Sequence, residues 1–384
     1  MKVLHFGRYY SQYFGGTERH VGSLLDCLQH HIQVANVVAS EVCGNEVVRR
    51  GGYDIHKLAS IGTLAGTTFC PTMPSYVRRL HARERFDIIH LHFPDPMSHL
   101  AYSFLPKGPK LVISWHSDIV RQKKLLTLYQ PFLNHIVARA DAIIAATPKH
   151  FTSSKQMNAC QDPKRKHVVH YGVDLGRFEK NEQTKLGVKR LADKYPNRRI
   201  IFALGRHVYY KGFDYLIQAM RLLPSDTLLL LGGCGPKTLE LQQLSAKLGL
   251  SDQVIFLGRI PDEELPYYYH GCEIFCMPSV ESSEAFGLVQ MEAMACGKPI
   301  VCCELNNGVT YLNRSTETGL VVPPRNSEAL AAALNELLAN EEKRSEYGKE
   351  AYARVLQEFT LKQMTEGTLA VYRAVLGIQA RHEG

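Results

Sequence analysis

Two carboxylates eight residues apart, Glu284 and Glu292, flank a loop-to-helix junction in the run S-V-E-S-S-E-A-F-G-L-V-Q-M-E-A-M-A-C-G-K-P at 279–299. Ala285, Phe286 and Gly287 form the approach, and Leu288 and Val289 open a helix that Gly297 closes. A helix N-terminus presents unpaired backbone N–H groups and the positive end of a dipole, so it can hold a phosphate. A carboxylate on each side can accept hydrogen bonds from ring hydroxyls. The segment has the chemistry of a seat for a sugar nucleotide. A buried, well-capped helix is the plain alternative, and two acids at this spacing do not by themselves decide between the two.

Cations stand nearby in sequence terms. Gly205-Arg206 follows an apolar run, and Lys211-Gly212 comes five residues later. A loop carrying Arg and Lys at a strand end can neutralise a diphosphate, the guanidinium as a fork and the ammonium as a point charge. Gly15-Gly16 lies between the first apolar run and a helical pattern, where paired glycines let a backbone approach a ligand closely. His116, in S-W-H-S-D, sits at a strand end where its imidazole could donate to a sugar hydroxyl, with Asp118 to orient it or an acceptor. Each also has an ordinary reading: solvated cations, a tight turn, one structural histidine among 17. Gly233-Cys234-Gly235 resembles a dinucleotide loop, but the third glycine of that fingerprint would fall on Thr238. No D-x-D occurs, no His/Cys/Asp set has a metal-ligand spacing and no nucleophile elbow is present, so no metal is expected.

The elements that must position these residues alternate. Strands are expected at 3–6, 33–39, 87–92, 110–114 and 142–146, with helices at 17–28 and 125–139. After a polar stretch the alternation restarts. Strands follow at 199–204, 227–231, 254–257, 274–277 and 299–303, with helices at 213–223, 237–248, 328–339, 341–358 and 361–378. Short apolar strands alternating with helices imply parallel sheets covered on both faces. The chain is thus expected as two doubly wound α/β domains, 1–177 and 195–364, with 178–194 as a linker. Ligands in such sheets bind beyond the C-terminal strand ends, and two facing domains would share a cleft.

Composition bounds the class. With 384 residues, 45% hydrophobic and 21% charged, the chain suits a soluble two-domain protein. No window reaches the roughly 18 apolar residues of a spanning helix, and the first residues read as a strand, not a signal peptide. Ten cysteines without paired spacings suggest reduced thiols in the cytosol. Residues 1–177 carry 22 Lys+Arg against 12 Asp+Glu, net +10, while the remainder is net −2. A basic half suits something anionic: an acidic membrane leaflet, a lipid pyrophosphate or nucleic acid.

Taken together, G-G, G-R-x4-K-G, G-x-G-P and E-x7-E, in that order over essentially the whole chain, resemble glycosyltransferase family 4, retaining enzymes of the GT-B fold. H-S-D-I-V-R-Q-K (116–123) and G-V-x-Y-L-N (308–313) are most similar to bacterial mannosyl- and rhamnosyltransferases of O-antigen and exopolysaccharide assembly. The resemblance implies that Arg206 and Lys211 hold the donor diphosphate. Glu284 would bind the donor sugar's hydroxyls, Phe286 to Val289 would cradle the distal phosphate, and Glu292 would bind the ribose. Gly258, Arg259 and Ile260 would border the base. Gly15 and Gly16 would face the diphosphate from the N-terminal domain, His116 would touch the sugar, and a last helix, about 365–384, would cross back to that domain. No cofactor beyond a nucleotide-sugar co-substrate, with GDP-mannose favoured, is implied. The implied acceptor is a lipid-linked saccharide, the implied surface an anionic inner membrane met by the basic domain, and the implied location cytoplasmic; nucleic acid is not implied. Two departures stand out: Tyr171 precedes Gly172-Val173-Asp174 where Asn is common in the family, and Cys234 stands where an acid is common. Other readings are a GT-B phosphorylase or epimerase, a nicotinamide dehydrogenase, or a sugar-nucleotide sensor without turnover.

Overall fold

A computed structural model describes residues 1–10, 15–40, 44–64, 66–119 and 123–378. Residues 120–122 of the 116–123 motif, and 379–384 of the expected last helix, lie outside this set. The chain divides into two units, Met1–Gly172 with Leu361–Gly384, and Val173–Thr360.

The first unit is built on strands β1 (Lys2–Tyr10), β2 (Gln33–Ser40), β3 (Glu46–Arg50), β4 (Tyr53–Ala59), β7 (Ile88–Phe93), β8 (Lys110–Trp115), β9 (Ala142–Ala145) and β10 (Lys166–Val168). A separate hairpin pairs β5 (Gly62–Leu64) with β6 (Thr67–Phe69). The sheet order is β10-β9-β8-β7-β1-β2-β4-β3, parallel except for the β3–β4 pair. Side chains alternate across it. Leu4, Ile89 and Ile113 enter one core, while Val3, Ile88 and Val112 enter another under the helices Gly16–Leu28 and Leu361–Leu376. Covering on both faces is why these strands are continuous apolar runs. The strands β3, β4, β5, β6 and β10 lack such runs and were not anticipated from sequence.

In the second unit β11 (Arg199–Leu204), β12 (Thr227–Gly232), β13 (Val254–Gly258), β14 (Ile274–Met277), β15 (Ile300–Cys303) and β16 (Gly319–Val322) form one parallel sheet, ordered β13-β12-β11-β14-β15-β16. The winding reverses between β11 and β14, which pair directly through Ile201–Ile274 and Phe202–Phe275. A ligand crevice opens at such a reversal, beyond the C-terminal strand ends.

The stretch 178–194 is not a linker. Asn181 caps a helix, Glu182–Lys194, by accepting from Thr184 N at 2.9 Å, and that helix groups with the second unit. Its polar residues face water, while Thr184, Gly187 and Leu191 are buried. Gly187 lies so close to Tyr267 that a Cβ would stand 2.3 Å from the ring. A charged composition hid an amphipathic helix. The helix Leu361–Leu376 groups with the first unit, where Met364, Leu369, Val371 and Tyr372 join the core beneath helix Gly16–Leu28.

Candidate functional site

In the second unit the candidate residues converge where the winding reverses. Lys211 follows β11 and Glu284 follows β14. The Lys211 Nζ lies 2.5 Å from Glu284 Oε2, with both side chains only about a tenth exposed (10% and 12%). Burial alone would lower the lysine's pKa, but the carboxylate, helped by Tyr210, more than offsets it and raises the pKa above the ordinary lysine value. Ser279 Oγ donates to the same Oε2 at 3.1 Å, and Asn307 Nδ2 donates to the Glu284 carbonyl at 2.6 Å.

Backbone fit forces this meeting. Gly212 has φ +66, and a Cβ there would stand 2.2 Å from the Pro278 carbonyl oxygen. Val280 N also donates to Tyr210 O at 2.8 Å. Ser279 and Asn307 went unnoticed in the sequence because only the fold brings them to Glu284. Asn307 had one local signal: it caps the helix Gly308–Leu312 by accepting from Val309 N at 3.0 Å.

Helix Leu288–Ala295 starts at Gly287, φ +80, with no side-chain cap and no acid in its first turn. Ala285 is half-buried and Phe286 is buried, its ring 6.3 Å from Phe359. Leu288 and Val289 are partly exposed, and Gln290 N already donates to Gly287 O at 2.9 Å. Glu292, one turn further on, is 5% exposed and accepts from Tyr269 Oη at 2.7 Å. Tyr269, in the run Tyr267-Tyr268-Tyr269, is a partner that local sequence did not reveal.

Three loops knit beside these groups. Gly205 N donates to Gly232 O at 3.2 Å, His207 N to Cys234 O at 3.0 Å, and Gly233 N to Gly258 O at 2.7 Å. Arg206 and Arg259 are exposed, Ile260 is buried, and Gly258 takes φ +66. Gly233, at φ +105, would carry a Cβ 2.0 Å from Gly205 O. Gly233→Ala is therefore expected to destabilise the second unit by about 1–3 kcal/mol or more, through strain plus a backbone clash. A urea midpoint equal to wild type would show that the loops can separate at no cost.

In the first unit, Gly15 and Gly16 are exposed at the start of helix Gly16–Leu28. The Glu18 carboxylate already lies against Gly15, at 2.5 Å from where a Cβ would stand. That makes this helix end less suited to an anion than the end at Gly287.

His116 is 4% exposed and both its ring nitrogens are engaged, Nδ1 with Tyr171 Oη at 2.5 Å and Nε2 with His92 Nδ1 at 2.9 Å. Asp118 does not orient it; that carboxylate accepts from Trp115 Nε1 at 2.9 Å and Ser154 Oγ at 2.6 Å. Tyr171, the departure that left its loop without a role, is thus a partner of His116. His5, His90 and His92 also come together, each offering a ring nitrogen within 4.8 Å of the others. Sequence spacing had suggested no such cluster, because its members come from two strands.

Comparisons with known proteins agree with this architecture. Residues 14–177 match the model of Glycosyltransferase Family 4, and 189–354 that of Glycosyl transferases group 1. The chain is 32% identical over 366 residues to the D-rhamnosyltransferase WbpZ of Pseudomonas aeruginosa, covering 94% of this chain and 92% of that protein. It is 29% identical over 384 residues to the O-antigen chain mannosyltransferase C of Escherichia coli, covering 98% and 99%. Among solved structures, the sucrose-phosphate synthase of Thermosynechococcus elongatus superposes with a TM-score of 0.81 at 23% identity, covering 98% of this chain and 99% of that one.

Proposed function

The chain belongs to glycosyltransferase family 4 and is a GT-B hexosyltransferase, and from that premise we propose that it moves mannose from GDP-mannose to a lipid-linked saccharide in bacterial surface polysaccharide synthesis, with retention of anomeric configuration. The supporting observation is the buried Lys211–Glu284 pair at the winding reversal of the second sheet. The donor and pathway rest on the printed names of the mannosyl- and rhamnosyltransferase relatives. A UDP-sugar or GDP-rhamnose donor is the alternative.

Charge develops on the departing diphosphate as the sugar–phosphate bond breaks. Lys211, Arg206 and the N–H groups after Gly287 are the preorganised positive groups of this unit, and such groups stabilise developing charge without reorganising. They supply a role that other transferases give to a metal ion. Glu284 holds Lys211 charged and keeps a carboxylate oxygen for donor hydroxyls, while Glu292 takes the ribose. The departing phosphate accepts the acceptor's proton on the same face, which gives retention. Gly16 and His116 are assigned to the donor as the family resemblance implies. No described helix is long and apolar enough to cross a membrane. The net +10 of residues 1–177 is the feature that would draw this unit to an anionic inner leaflet.

The test is a thermal-shift panel with GDP, UDP, ADP, dTDP and NADH without added metal, followed by product analysis. A nucleotide at a hundred times its Kd adds about 2.7 kcal/mol of stability. Stabilisation by GDP, and an α-linked product from GDP-α-mannose, are expected. Stabilisation by NADH alone, or an inverted product, would overturn the reading.

A further inference from the structure

The first unit contains a continuous line of polar side chains through its interior. Tyr171 Oη meets His116 Nδ1 at 2.5 Å, and His116 Nε2 meets His92 Nδ1 at 2.9 Å. His92 Nε2 meets His5 Nδ1 at 3.1 Å, and His5 Nε2 meets Tyr372 Oη at 3.1 Å. Tyr372 Oη meets His90 Nδ1 at 2.6 Å, and His90 Nε2 meets Ser114 Oγ at 2.8 Å. All seven residues are buried. They come from β1, β7, β8, the turn after β8, the Tyr171 segment and helix Leu361–Leu376. None of the metal-independent chemistry described above requires such a line.

We propose that these seven side chains form one hydrogen-bond relay of fixed direction, closed through a single buried water beside His20, which positions His116 as a hydrogen-bond acceptor toward the donor. The inference rests on the reading that His116 contacts the donor sugar.

Proton inventory fixes the line's behaviour. A neutral imidazole has one N–H and one bare nitrogen, and a hydroxyl both donates and accepts. Burial holds the His5 ring neutral, its pKa pushed down to about 3, and takes His90 and His92 well below the ordinary value. With neutral rings, every link can be made, and the buried Tyr372 proton used, in only two ways: all four histidines carry the proton on Nε2, or all four carry it on Nδ1. A mixture leaves two lone pairs or two protons facing each other, or, if it switches at Tyr372, leaves that hydroxyl's proton without an acceptor. A phenol donates better than it accepts, so Tyr171 belongs at the donating end. The direction is then Tyr171 to His116 to His92 to His5 to Tyr372 to His90 to Ser114, with every ring in the Nε2–H form.

Both ends return to one place. Ser114, Tyr171, His116, Thr368 and His20 line a cavity of about 10 Å³, about the space one water needs. His20 is 7% exposed, and its Nδ1 has no hydrogen-bond partner among the described residues. A water there accepts the proton that Ser114 has left to give. It donates one proton to His20 Nδ1 and one to Tyr171 Oη, so all donors and acceptors balance. His116 then offers only Nδ1, as an acceptor, to any hydroxyl that displaces Tyr171. This reverses the donor role expected from its sequence position.

Long-range proton–nitrogen NMR on the full chain labelled with [15N]histidine reads the tautomers directly. His5, His90, His92 and His116 are expected to be protonated on Nε2, and a single Nδ1–H ring among them would overturn the relay. Tyr372→Phe removes one hydroxyl at its midpoint. Its kcat with GDP-mannose should fall about tenfold or more through loss of placement, with KM little changed and the near-ultraviolet circular dichroism of a folded protein. Undiminished kcat in that folded variant would overturn the positioning role. Should Tyr372→Phe not fold, Ser114→Ala removes the terminal acceptor and must give the same kcat loss, or the role fails. A wild type that does not turn over GDP-mannose counts against the transferase reading above, while the tautomers still decide the relay.

Discussion

Lys211→Ala should lose about 10²-fold in turnover and about 3–5 kcal/mol in stability. The two losses have different origins. The first removes a positive group from the developing diphosphate charge. The second leaves the Glu284 carboxylate, 12% exposed, without its cation. Removing Glu284 as well should restore much of the stability and none of the activity, since an absent pair costs less than a broken one. Arg206 separates the two effects. Its side chain is exposed, so Arg206→Ala should also lose about 10²-fold in turnover while the urea midpoint hardly moves. Paired urea melts and initial rates on the three variants check this. Normal turnover in a folded Lys211→Ala protein would remove Lys211 from the diphosphate site.

Acid should unfold the first unit well before the second. His5, His20 and His99 have pKa values pushed down to about 3 by burial, and those of His90 and His92 lie well below the ordinary value of 6.5. All five lie in the first unit. Their folded values lie below the unfolded one, so their contribution is fully present above pH 6.5 and is lost as pH falls toward 3. Over that window the unfolded chain binds protons that the folded unit refuses. Each such ring removes about 1.4 kcal/mol per pH unit once well below 6.5. Five rings remove on the order of 5 kcal/mol between pH 6.5 and 5.5, comparable to the whole stability of many domains. In the second unit His207 and His270 are also lowered by burial, but these are two rings against five, and no value near 3 is reached there. The single tryptophan, Trp115, is 1% exposed in the first unit and reports on it alone. Its fluorescence midpoint in urea should drop sharply from pH 7.5 to 5.5; an unchanged midpoint would mean the rings take up protons without cost.

What the sequence disclosed follows from how local each signal is. Glu284, Glu292, Arg206 and Lys211 stood out because each belongs to a short motif with its own turn chemistry: Gly212 and Gly287 hold positive φ next to them. Ser279, Tyr269 and Asn307 carry no such mark. Tyr269 and Asn307 matter through partners 23 residues away, which only the fold brings near, and Ser279 through the turn that carries it back to Glu284. The histidine line was half visible. His90 and His92 alternate onto one face of a strand, but that His5 lies opposite His90 requires the β1–β7 register. The helix Glu182–Lys194 was missed because its few buried positions are Thr, Gly and Leu, too sparse for composition to register.

The first unit is interrupted in the chain. Its sheet is made from residues before 173, but one of the two helices over Val3, Ile88 and Val112 is Leu361–Leu376. During synthesis the whole second unit, Val173–Thr360, leaves the ribosome before that helix exists. At elongation rates of about 5–20 residues per second, the first sheet would spend on the order of ten seconds or more with that face covered only by helix Gly16–Leu28. Throughout that interval His5 and His90 lack the Tyr372 hydroxyl. The nascent chain is therefore most in need of a chaperone at this first sheet, whose cover is completed only after the second unit is made.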